Sequence, residues 1–150
     1  MIWLDDEPLT VSYDKNVLIP DRFDTDSFTI VYLEKIAELM EFLYHHTVTP
    51  DDLFIVDIML LFEKEILTPD SRKIEIPDEL MAGVTLYREF LRERYPQNPV
   101  ILYTSREHDE KMFTHITSDP RFGKSLFLID KWKKDTLFVD TLAHFLKERT

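Results

Sequence analysis

Hydrophobic positions along the chain follow two rhythms that alternate from one end to the other. Unbroken apolar runs occur at Met1-Ile2-Trp3-Leu4, Leu53-Phe54-Ile55-Val56, Val100-Ile101-Leu102-Tyr103 and Leu126-Phe127-Leu128-Ile129. Runs of this kind read as strands buried on both faces of a parallel sheet. Together with a less regular run they predict five strands, at 1–5, 27–32, 53–57, 99–104 and 125–130. Between them the apolar spacing turns helical. Ile36, Leu39, Met40 and Leu43 share one face within 33–46, and Leu80, Val84, Tyr87 and Leu91 share another. A weaker face carries Met112, Phe113 and Ile116, and Asp135 is a plausible N-cap for a last helix turning Phe138, Leu142 and Phe145 inward. Strand and helix in alternation predict an α/β fold around a parallel sheet.

Two stretches interrupt the alternation. Leu9 to Asp24 should hold the first crossover helix, yet it carries β-branched residues and Pro20, which predicts a short or distorted helix. Leu60 to Glu79 separates the third strand from its helix. Its Pro69-Asp70-Ser71 turn signal, with Ile74 and Ile76 alternating with charges beyond it, predicts a small hairpin. Loops this long in a compact domain are usually functional or disordered. No repeat or low-complexity tract divides the chain, so one domain over 1–150 is expected, with an insertion at about 60–79.

Composition narrows the function classes. At 150 residues the chain can build one substantial core. Cysteine is absent, which removes disulfides and thiolate metal sites. No apolar stretch approaches the roughly 20 residues that span a bilayer. Strand-like sequence starts at Met1 and leaves no room for a signal peptide, so a cytoplasmic protein without a membrane role is expected. A net charge of −11 argues against a nucleic-acid surface, which needs clustered Lys and Arg.

The candidate chemistry lies where the strand-like runs end. The first delivers Asp5-Asp6, the third Asp57, the fourth Thr104-Ser105 and the fifth Asp130-Lys131. In open parallel sheets ligands bind beyond the carboxyl ends of the strands, so these groups should converge. Taken singly, Asp5-Asp6 is a turn, Thr104 a strand-end hydroxyl and Lys131 a solvated charge. Three carboxylates drawn together repel, by about 4 kcal/mol per pair at ~4 Å and an effective dielectric near 20. Either one stays protonated or a cation sits among them. Mg2+ suits such a site because it takes a few carboxylates and leaves room for phosphate oxygens. A carboxylate there can also attack phosphorus, with Lys131 and the Thr104 hydroxyl receiving the charged oxygens.

With Asp5-Asp6-Glu7, Asp57, Thr104-Ser105, Lys131 and the small pair Ala82-Gly83 in these places, the chain resembles the receiver domains of two-component response regulators over nearly its whole length. The resemblance implies a doubly wound, flavodoxin-like sheet of five strands in order 2-1-3-4-5. It implies Asp57 as phosphoacceptor, with Thr104 and Lys131 carrying the switch. It also implies Mg2+ held by Asp6, Asp57 and the Met59 carbonyl, with Asp5 acting through water. The implied partner is a histidine kinase or phosphotransfer protein. A downstream protein would dock on the face of strand 4, helix 4 and strand 5, or on the insertion. The domain would be a phosphorylated signalling unit and not an enzyme. Three departures stand out: Trp132 where the family places proline, Leu128 where it places the switch aromatic, and the insertion itself. They leave open a receiver-like interaction module that works without phosphate. A phosphohydrolase that uses Asp57 fits less well, because Met59 stands where such enzymes need a proton-donating acid.

Overall fold

A computed structural model describes residues 1–7, 14, 16, 19–104, 110–131 and 138–147. Strands β1 (Ile2–Leu4), β2 (Val31–Leu33), β3 (Phe54–Asp57), β6 (Val100–Thr104) and β7 (Leu126–Asp130) form one sheet in the order β2-β1-β3-β6-β7. All four pairings are parallel. This is the expected 2-1-3-4-5 order once the two strands of the insertion are set aside.

The insertion is the hairpin that its turn signal predicts. β4 (Glu65–Leu67) and β5 (Lys73–Glu75) pair antiparallel, with Ile66 opposite Ile74. Thr68 ties the turn: its amide donates to the Arg72 carbonyl at 2.8 Å, and its hydroxyl bonds the Asp70 carboxylate. Ile66, Ile76 and Leu60 are buried and anchor the hairpin in the main core.

Side chains alternate across the sheet, as the pleat requires. Ile2, Leu4, Phe54, Val56, Val100 and Leu102 face one layer. There they meet α2 (Ile36–His45), the helical stretch that begins with α3 (Ala82–Leu86), and Ile116 of α5 (Glu110–Thr117). Trp3, Ile55, Ile101, Tyr103 and Ile129 face the other layer. That layer holds Ile19 of α1 (Ile19–Arg22) together with Phe138, Leu142 and Phe145, the last two on α6 (Val139–Lys147). The apolar faces expected for the helices now labelled α2 and α6 are therefore the buried ones, whereas most of the first crossover, where a short or distorted helix is expected, lies outside the described residues. α3 continues through a π-helical turn, Tyr87–Leu91, into α4 (Arg92–Arg94), a widening that the periodicity does not signal.

Two boundaries differ from expectation. The second strand starts at Val31 and not at 27, because Asp24 caps a 3-10 turn over Thr25–Ser27 by accepting from the Asp26 amide at 3.1 Å. Leu80 lies outside α3 and is exposed. Asp78 accepts from its amide at 2.9 Å and starts a separate 3-10 turn there. Asp135, Ser105 and Trp132 lie outside the described residues, as do the side chains of Met112 and Phe113. Among the described residues no helix is long and apolar enough to cross a membrane.

Candidate functional site

The parallel register sets β1, β3, β6 and β7 level, so their carboxyl ends open on one edge. Asp57 is the last residue of β3 and lies opposite Tyr103, while Thr104 ends β6 opposite Asp130. Asp5 follows β1, and its amide is fixed by the Leu33 carbonyl at 3.0 Å. Oxygen atoms of Asp5, Asp6 and Asp57 all lie within 4.8 Å of one another.

Lys131 bridges two of the three acids. Its Nζ lies 2.9 Å from Asp5 Oδ2, 3.1 Å from Asp57 Oδ2 and 3.6 Å from a Glu7 oxygen. The cluster is nearly dry: Asp5 is 0% exposed, Asp57 2% and Lys131 5%. Ions so deeply buried cost several kcal/mol each unless compensated. Compensation here is partial. Asp5 Oδ1 accepts from the Glu7 amide at 2.8 Å, Asp57 Oδ1 from the Met59 amide at 3.3 Å, and Asp6 Oδ2 from the Leu61 amide at 3.0 Å. Asp57 Oδ2 also accepts from Lys131. Asp5 Oδ2 draws on the same ammonium, in a close ion pair at 2.9 Å.

The protonation equilibria follow from this shortfall. Burial, reinforced by the negative charge of Asp5 and opposed by Lys131, pushes the Asp57 carboxyl up to about 8. Burial raises Asp5 too, against the pull of Lys131. Burial works to lower Lys131, yet Asp57 and Asp5 outweigh it and keep the ammonium above its ordinary range. The site is short of positive charge. Three carboxylates with oxygens within 4.8 Å of one another, two of them sharing a single ammonium, are what a hard divalent cation would satisfy.

Local backbone explains why the acceptor loop sits where it does. The Gly83 amide donates to the Ile58 carbonyl at 2.8 Å, bringing the start of α3 against the back of the Asp57 peptide. A Cβ at Gly83 would stand 2.0 Å from the Asp57 carbonyl oxygen, so only glycine allows this approach.

The structure thus brings Asp5 and Asp57 into contact with Lys131 and sets Asp6 beside them, its oxygen within 4.8 Å of theirs. Met59 lines the acceptor loop through its amide, and Thr104 is buried one residue beyond the strand position paired with Asp57. Several groups at the site went unassigned in the sequence. Glu7 reaches Lys131, and the Tyr32 hydroxyl donates to the Asp5 carbonyl at 2.7 Å. Tyr103 lies with its ring centroid 5.3 Å from Lys131 Nζ. The signal for both tyrosines was present, an aromatic at the end of a strand-like run, but aromatics there are ordinarily core. Leu128 packs towards the α2 layer and Phe127 towards α6, where it meets Phe145 at 5.4 Å, so Phe127 does not replace Leu128.

No protein-family model and no curated protein sequence matches the chain. Solved structures do. A signal receiver domain of an HD domain-containing protein from Pseudomonas fluorescens Pf-5 superposes with a TM-score of 0.60 at 16% identity, covering 99% of this chain and 94% of that one. A fusion carrying amino acids 181–211 of the yeast Spc42 trimeric coiled coil superposes with a TM-score of 0.59 at 13% identity, over 99% of this chain and 78% of that one. At such low identity the likeness speaks for architecture. The five-stranded parallel sheet and its flanking helices are the fold of a signal receiver domain.

Proposed function

We propose that the chain is a phosphoacceptor receiver domain, working as one unit over residues 1–150 with its insertion at 60–79. Asp57 takes a phosphoryl group from a histidine kinase or phosphotransfer protein, with Mg2+ as cofactor, in a cytoplasmic two-component pathway. The observation that carries this reading is the buried Lys131 ammonium, shared between Asp5 and Asp57 at 2.9 and 3.1 Å. A lysine there binds an acceptor oxygen now and a phosphoryl oxygen after transfer.

In the step itself, an Asp57 carboxylate oxygen forms a bond to phosphorus. The phosphorus–nitrogen bond of the donor phosphohistidine breaks, and the departing imidazole keeps the electron pair and takes a proton. Asp5, Asp6, Asp57 and the Met59 carbonyl would hold the cation. Bound there, it offsets the negative charge that gathers as the phosphoryl group approaches. Lys131 receives one phosphoryl oxygen, and the Thr104 hydroxyl another. The chain's own contribution is positioning and charge compensation, which dominate phosphoryl transfer.

A second reading is favoured by one feature beside the site. Leu61 is 42% exposed and Phe62 87%, in the loop that starts the insertion. An apolar pair displayed there suits protein contact, whether as the output surface of the phosphorylated domain or as a surface that acts without phosphate.

Incubation with Mg2+ and acetyl phosphate distinguishes the two. The first reading expects intact mass to rise by one phosphoryl group in the natural chain and not in Asp57→Asn. A folded sample that gains no mass, or an Asp57→Asn variant that gains as much, rules it out in favour of the phosphate-independent module.

A further inference from the structure

Lys131 has a flexible four-carbon stem, and the two acids nearest its ammonium, Asp5 and Asp57, have other work to do. A side chain of this kind gives up rotamer freedom when it is held in one place, and a rigid neighbour lowers that cost. The position where receivers keep their switch aromatic is occupied by Leu128, which packs on the opposite layer. An aromatic ring nevertheless stands against Lys131, contributed by β6.

Tyr103 places its ring centroid 5.3 Å from Lys131 Nζ, inside the roughly 6 Å reach of a cation–π contact. The ring is itself fixed from several sides. It stacks on Phe138 at 4.9 Å with an interplanar angle of 18°, and it meets Trp3 edge-on at 6.0 Å. Its hydroxyl donates to Asp14 Oδ2 at 2.8 Å, a fully buried bond that ties β6 to the first crossover. Its carbonyl accepts from the Ile58 amide at 3.2 Å, one residue beyond the acceptor. The register pairs Tyr103 with Asp57, which sends both side chains to the same face of the sheet.

We propose that Tyr103 is the positioning residue for Lys131, holding the ammonium between Asp5 and Asp57 through the face of a ring packed between Phe138 and Trp3. A neutral ring suits the task. It attracts the ammonium without adding charge to a crowded acidic site, and it does not compete for a divalent cation. The carboxylates set where Lys131 is pulled, and Tyr103 sets the direction from which it comes. The consequence for phosphoryl transfer rests on the function proposed above, whereas the contact itself does not.

Side-chain NMR of Lys131, combined with acetyl phosphate kinetics, tests the assignment. In the natural chain the Lys131 ε-methylene protons carry a ring-current shift and give one set of signals. Tyr103→Phe keeps the ring and preserves both features. Tyr103→Leu loses the shift and averages the signals, and its phosphorylation slows by up to about a hundredfold, the scale of a group misplaced by about 1 Å. Tyr103→Phe restores most of that rate. In a Lys131→Ala background, Tyr103→Leu slows transfer no further, because the two residues act as one. Should Tyr103→Leu not fold, Tyr103→Met supplies the ringless variant, since methionine adapts to irregular core space. Unchanged Lys131 signals in a folded ringless variant overturn the assignment. So does equal slowing with and without Lys131. A natural chain that takes no phosphoryl group refutes the receiver reading alone, since the NMR comparison needs no phosphate.

Discussion

Asp57 and Phe62 lie a few residues apart on either side of the turn that leaves β3, and they break the burial rule in opposite directions. At Asp57 the chain hides charge: three ionised or ionisable groups are 5% exposed or less. At Phe62 it displays a large apolar side chain, 87% exposed, on a backbone with φ of 65°. Globular chains place carboxylates outside and phenylalanine inside for lack of any reason to do otherwise. A double inversion over so short a distance marks where the sequence answers to something besides folding. The two halves are also wired together, since Asp6 Oδ2 accepts from the Leu61 amide while sharing the acidic cluster with Asp57.

The hidden charge should dominate any measurement of stability against pH. Asp57 has an ordinary value of 3.8 and is pushed to about 8 in the fold. The folded chain therefore holds this proton more tightly than the unfolded chain does. The resulting stabilisation is complete below pH 3.8 and is lost as pH rises through about 8. One such group sets an upper limit of about 1.4 kcal/mol per pH unit within that window. We expect urea midpoints of the metal-free protein to fall from pH 5 to pH 8, and the fall to flatten in Asp57→Asn. Saturating Mg2+ should reverse most of the loss at pH 8 in the natural chain and not in the variant. A slope unaltered by Asp57→Asn would assign the titration to Asp5, the other carboxyl of the pair that burial raises.

Next in size is the support beneath Asp57. Replacing Gly83 with alanine puts a methyl group 2.0 Å from the Asp57 carbonyl oxygen and 2.9 Å from the Ile58 Cα, both backbone atoms that cannot swing aside. Overpacking of this kind costs about 1–3 kcal/mol. The Gly83→Ala variant should lose stability on that scale and bind Mg2+ more weakly, because relief comes from moving the acceptor loop. Equilibrium unfolding with a Mg2+ titration reads both effects. If affinity were kept while stability fell, α3 rather than the loop would have yielded.

How far these features were legible in the sequence depends on the range of the interaction behind them. The strands and the meeting of Asp5, Asp6, Asp57 and Lys131 were readable, because a buried parallel strand leaves a continuous apolar run whose end shows, whereas the sheet order came only from the resemblance to receiver domains. Boundaries set by a local cap were less so: Asp24 and Asp78 each start a 3-10 turn that displaces the expected element. Contacts that close across long separations were invisible. Lys35 offers no side-chain cap to α2, and Glu63 of the insertion supplies one by accepting from the Ile36 amide at 3.0 Å. The Tyr103 bond to Asp14 is of the same kind. No periodicity announces such pairs, since each residue alone looks like ordinary surface or core.

The displayed half of the comparison predicts the smallest effect and the most telling. Phe62 buries little, so its side chain contributes little to the folded state. Its left-handed backbone is held by the Phe62 amide donating to Glu79 Oε2 at 2.8 Å, and by Leu60 buried just before it. For a bulky residue that conformation is strained, whereas glycine adopts it freely. Glycine also gives the unfolded chain more freedom, which offsets part of the relief. Phe62→Gly should therefore leave stability within about 1 kcal/mol of the natural chain, on the neutral or stabilising side. Calorimetric melting compared with Phe62→Ala, which keeps the strain and removes the ring, separates the two contributions. A marked loss in Phe62→Gly alone would make the ring a structural strut, and the inversion at the end of β3 would be one-sided. A neutral result means that folding does not require an exposed phenylalanine beside the acidic cluster, and its place is then explained only by what the surface meets.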